Sequence, residues 1–187
     1  MSHDPALDAH EHSEHAEHAA HANDPFIARV AITVAVLAVL AAAASSLETV
    51  EGGMAITASS EAVLSEERAT DTWSEYEADS LKKHIYGIAA DAGGPHAADY
   101  RRTAKEQTAK QAELKKTATE HETERDKLVA EGARHEGRHH WLTGAATLIE
   151  IGIALSTVAI ITRRRVFWFS ALGLGIVGVA LGALAFL

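Results

Sequence analysis

Residues 141–187 read WLTGAATLIEIGIALSTVAIITRRRVFWFSALGLGIVGVALGALAFL. Two apolar runs are present, 141–162 with Glu150 as its single charge and 166–187 with none, separated only by Arg163, Arg164 and Arg165. Each run has the roughly 20 residues that a helix needs to cross a hydrocarbon core of about 30 Å. A linker of three arginines forces the two into an antiparallel hairpin, with Phe167, Trp168 and Phe169 placed as an aromatic belt at the interface.

Moving toward the N-terminus, a third apolar block covers 26–48. Its eighteen residues 30–47 carry no charge, and Arg29 is close enough to the boundary to extend its head group toward water. Residues 1–25 hold six acids, six histidines and no Lys or Arg, so they do not read as a cleavable signal peptide and the first span is expected to be retained. The apolar fraction of 47% is thus gathered into three blocks, which argues against one soluble core. There is no cysteine, which excludes disulfides, cysteine-ligated zinc and thiol nucleophiles, and a formal charge of -9 argues against a nucleic-acid partner.

Between the first and second spans, residues 49–140 read as helix throughout, apart from a breaker cluster at 91–96 containing Gly93, Gly94 and Pro95. The arms on either side have nearly equal length, about 60 Å at 1.5 Å per residue, which predicts an antiparallel hairpin stalk with a coiled-coil character. Gly52 and Gly53 are expected to loosen the first arm. The second arm keeps a three-four spacing through Ala97, Tyr100, Ala104, Gln107, Gln111, Leu114, Ala118, His121, Arg125 and Leu128. In the first arm Ala69, Trp73, Tyr76 and Ser80 share one face. Asp79 with Lys83 and Glu106 with Lys110 are expected as surface pairs. Trp73, Tyr76, Lys82, Lys83 and Tyr86 are the candidate contacts for an unidentified protein partner. The predicted fold is therefore all-α, three membrane spans with a long helical hairpin outside the bilayer between the first two.

Helix association in lipid depends on close approach at small residues and on interhelical hydrogen bonds. Ala31, Ala35, Ala38 and Ala42 form a small-residue stripe in the first span, and Gly175, Gly178 and Gly182 form another in the third. In the second, Thr143, Thr147, Glu150, Ala154 and Thr157 follow the same rhythm. A charge at the bilayer centre costs at least about 2.5–3.5 kcal/mol on insertion scales. Glu150 is therefore expected to face protein or water, either fixing oligomer state or, with Thr147 and Thr143, lining an ion path.

His10, His12, His15, His18 and His21 recur among carboxylates and could bind zinc, nickel or copper weakly. Their spacing matches no structural or catalytic zinc site, so no defined cofactor is expected. His135, His139 and His140 are expected as interfacial polar residues. No phosphate loop and no nucleophile with a paired base is present, and no enzymatic activity is expected.

The run from Ala69 through Trp73, Glu75, Tyr76, Glu77, Asp79, Ser80, Lys82 and Lys83 to Tyr86, with Leu148, Ile149, Glu150, Ile151 and the Arg164–Trp168 junction, resembles an uncharacterised bacterial family of three-span membrane proteins, a domain of unknown function. The likeness covers about residues 26–187 and implies a bacterial inner membrane and the three-span fold, without an activity. The chain departs from that family's pattern at Glu75, Glu77 and Asp79, which make this surface more acidic. The three arginines place their loop, and hence the N-terminus, on the cytoplasmic side and the stalk in the periplasm. The function these features favour is a non-enzymatic, homo-oligomeric scaffold or interaction protein in contact with lipid; a small ion channel or accessory subunit using Glu150 and a metal-binding protein are the alternatives.

Overall fold

A computed structural model describes residues 24–187. Three helices account for nearly all of them: α1, Pro25–Asp91; α2, Ala97–Thr162; and α3, Arg165–Leu184. No strand occurs among the described residues. All three helices include a segment long and apolar enough to cross a membrane. The histidines at 10, 12, 15, 18 and 21 lie outside the described residues.

The breaks are where backbone chemistry demands them. Gly93 and Gly94 have φ of 81° and 102°, a region that a β-carbon disfavours, and Pro95 has no amide hydrogen to continue a helix. At the second break Arg163 takes φ of 52°, ending α2 in the left-handed conformation before α3 begins two residues later. Gly52 and Gly53, by contrast, do not interrupt α1. Gly52 instead makes room for an imidazole, because a β-carbon there would stand 3.2 Å from His139 Nδ1.

The chain divides into two compact units. The first contains, of the described residues, 24–55 and 133–187. In it α2 runs antiparallel to α1 and α3, as the contacts of Thr33 with Trp168, Leu37 with Gly175 and Gly152, and Glu48 with Thr143 show. Its core is Val34, Leu37, Ala38, Ala41, Ile149 and Ile153. Large side chains fill glycine gaps: a β-carbon on Gly175 would lie 2.5 Å from Leu37 Cδ2, and one on Gly178 would lie 2.7 Å from Ile149 Cγ1 and 2.9 Å from the Ala145 carbonyl oxygen. Such close backbone approach brings the helices into dispersion contact.

The second unit contains residues 56–132. Tyr86 stacks near Tyr100, Lys83 donates to Gln111, Trp73 donates to Glu122, and Arg125 pairs with Glu66. These partners descend in opposite directions along the two helices, so the arms pair antiparallel from the turn at 92–96. Small residues line the contact, with Ala58, Ala62, Ser65, Ala69 and Ala90 buried on one arm and Gln111 and Ala118 on the other.

Candidate functional site

In the first unit the packing face of α2 differs from the threonine stripe that its sequence suggests. Leu142, Ala145, Ala146, Ile149, Ile153, Ser156 and Ala159 are buried, whereas Thr143, Thr147 and Glu150 are exposed. Thr147 has no need of a neighbouring helix: its Oγ1 donates to the Thr143 carbonyl at 2.8 Å, satisfying the hydroxyl within its own helix. Glu150 thus stands on the outer face of α2, about the middle of the apolar stretch, beside exposed Ile151.

The small-residue seams are likewise split. Ala31, Ala38, Gly175 and Gly178 are inside, while Ala35 and Ala42 face outward and Gly182 is half-buried. The inward face of α1 carries Val30, Val34 and Leu37, and Leu37 fills the gap at Gly175 of α3.

Polar groups collect at both ends of this unit. At one end the Trp168 indole donates to Thr33 Oγ1 at 3.0 Å, Phe26 packs edge-on to Trp168, and Arg163 lies 3.9 Å from Asp24. At the other end the buried Glu51 carboxylate meets His135 Nδ1 at 2.6 Å and Arg138 at 3.7 Å. Thr143 Oγ1 donates to Glu48 Oε1 at 2.6 Å, and His139 Nδ1 lies 3.1 Å from the Glu48 carbonyl. Arg138 also covers the Phe186 ring at 5.6 Å. The histidines at 135 and 139 are therefore interhelical clasps. The spacing that could have shown it is Glu48 with Glu51 on one helix and His135 with His139 on the other, each one turn apart.

In the second unit the charged centre is Asp79, whose side chain is wholly inaccessible. Lys82 Nζ stands 2.9 Å from Oδ1 and Lys110 Nζ 2.9 Å from Oδ2, and Lys110 also donates to Glu75 at 2.7 Å. The Lys110 contact to Oδ2 is a close ion pair without hydrogen-bond alignment. The Lys82 hydrogen bond, then the close Lys110 ammonium, holds the Asp79 carboxyl below the ordinary carboxylate range against the opposing effect of burial. Glu75, followed by Asp79, pushes the Lys110 ammonium up. Glu66, then Asp126, does the same to Arg125. Asp79 is thus an interhelical anchor and not the surface partner of Lys83, which bonds to Gln111 at 3.1 Å. Glu106 lies 3.9 Å from Arg102, and Lys110 turns inward.

The five residues suggested as partner contacts are largely occupied inside the chain. Trp73 donates to Glu122 at 2.9 Å and meets Tyr76 edge-on, Lys82 and Lys83 have the partners above, and Tyr86 faces Tyr100 at 6.0 Å. No group of three or more His, Cys, Asp or Glu among the described residues is arranged to hold a metal ion.

A family model described as Domain of unknown function (DUF4337) matches residues 26–187. The chain belongs to that family. The matched segment contains α2, α3, all of α1 but its first residue, and every residue of the clusters just described except Asp24. No curated protein and no solved structure matches the chain.

Proposed function

We propose that this DUF4337 chain is a non-enzymatic, oligomeric scaffold of a bacterial inner membrane. In this reading 26–48, 141–162 and 166–187 are the spans, and the helical pair between the first two lies outside the bilayer. The N-terminus and the Arg163–Arg165 loop are cytoplasmic. Support for spanning comes from the polar clusters that cap the first unit. From Asp24 to Glu51 is about 40 Å of helix at 1.5 Å per residue, close to the thickness of a bilayer with its head groups.

The observation that carries assembly is the outward position of Glu150. A charged side chain facing lipid at mid-depth costs about 2.5–3.5 kcal/mol on insertion scales, and a protein neighbour supplies hydrogen bonds that acyl chains lack. A second copy offers the same face, with Glu150, Thr147 and Thr143 in register. The same exposed row supports a second reading, in which these residues line an ion path between copies.

The test is the mass of the protein in nanodiscs, with the wild type compared with Glu150→Leu. The expected result is a defined oligomer that shifts to lower mass in the variant. A monomeric wild type would overturn the proposal. An oligomer unaffected by Glu150→Leu would remove Glu150 from assembly, and loss of cation flux in Glu150→Gln would then favour the ion path.

A further inference from the structure

The first arm of the 56–132 unit carries a second apolar stripe, on a face that its partner arm leaves uncovered. Leu81, Ile85 and Ile88 are 62%, 55% and 72% exposed, and exposed Ala78 and Ala92 extend the same three-four spacing at either end. The inward face of this arm is complete without them, since Asp79, Lys83, Tyr86 and Ala90 face α2. Continued toward the N-terminus, the stripe meets Asp71 and Glu67, so it is confined to the part nearest the turn.

We propose that this stripe is the face on which a second copy of the chain docks, in parallel and in register. The proposal rests on the membrane-scaffold reading, because copies inserted in one membrane with one topology present their arms in the same direction. The flanking charges fit that orientation. With Ala78, Leu81, Ile85, Ile88 and Ala92 on the seam, Glu77 and Lys82 occupy the flanking positions that pair across a parallel two-stranded contact, five residues apart. Glu77 is exposed and makes no ion pair among the described residues. Lys82, 56% exposed, is held by Asp79 on one side and keeps further donors free. A parallel dimer therefore forms two Glu77–Lys82 contacts by symmetry.

A stripe of about two heptads is too short to hold two free chains together, but membrane anchoring turns the contact into one between tethered segments at high effective concentration. Ile85 at an a position and Leu81 at a d position suit a two-stranded contact.

The chain has no cysteine, so single-cysteine variants report without background. Ile85→Cys and Ile88→Cys proteins would be oxidised in native membranes, beside Glu113→Cys on the exposed side of α2. In a parallel, in-register pair each seam position faces itself, within reach of a disulfide. Both seam variants are expected to give disulfide dimers in several-fold greater yield than the control. Crosslinking at only one of the two positions would overturn the parallel arrangement. Crosslinking at neither above the control would overturn the docking face. The nanodisc mass of the same proteins separates the two claims: an oligomer without these crosslinks leaves the scaffold reading standing, whereas a monomer removes both.

Discussion

At Gly178 a single methyl group decides whether α2 and α3 can touch. The atoms it would meet include the Ala145 carbonyl oxygen at 2.9 Å, and a backbone atom within a helix cannot turn aside as a side-chain tip can. Gly173, on the same helix, has open space around its missing β-carbon. Gly178→Ala is therefore expected to destabilise the first unit by about 1–3 kcal/mol, the usual cost of overpacking. Gly173→Ala is expected to be neutral or to stabilise by up to about 1 kcal/mol through helix propensity. Thermal unfolding of the two variants in one detergent measures the difference. Equal effects would mean that α2 and α3 do not approach as described. Gly178 was legible as a small residue on a rhythmic stripe. Glu150 was legible as the one acid within an apolar stretch, but not the face on which it stands. Alanine, glycine and threonine follow a three-four rhythm on more than one face of these helices, and only the fit of Leu37 and Ile149 into glycine gaps selects the inner one.

Among the elements, the paired arms show most clearly what periodicity can reveal. Tyr100, Ala104, Gln107, Gln111, Leu114, Ala118 and Leu128 all lose exposure on the face toward α1, as their spacing suggests. The break between the helices was legible in Gly93, Gly94 and Pro95. Asp79 was not legible as an anchor, because local spacing offers Lys83 one turn away, and Lys110 comes from the opposite arm. Its ion pairs imply a pH dependence. A carboxyl whose value is lowered by folding contributes stability that is present above its ordinary value of 3.8 and is lost as pH falls through the lowered one. Asp79→Asn is therefore expected to melt lower than the wild type at neutral pH, with the gap narrowing as pH falls below the ordinary value of 3.8, where the unfolded chain's carboxyl takes up its proton. Circular dichroism melts of both proteins at neutral pH and in that acid range check this. A gap of constant size would show that the Asp79 charge is not what the lysines hold.

For the whole molecule the account depends on one division, between apolar segments that meet lipid and a polar helical pair that meets water. Length and composition are what suggest that proposed division, since three helices carry segments long and apolar enough to cross a membrane and a charged stretch of near-equal arms lies between the first two. The clasps at Glu48, Glu51, His135 and His139 were not legible, because each joins residues more than eighty positions apart. The most direct test uses single cysteines in the cysteine-free chain and a maleimide that cannot cross membranes. Thiols at Ser59, Glu113 and Thr123 are predicted to react in spheroplasts, a thiol at Arg164 only after the cells are opened, and thiols at Val39, Ile151 and Ile176 in neither case. Labelling of the last three as readily as the first would contradict the three-span account.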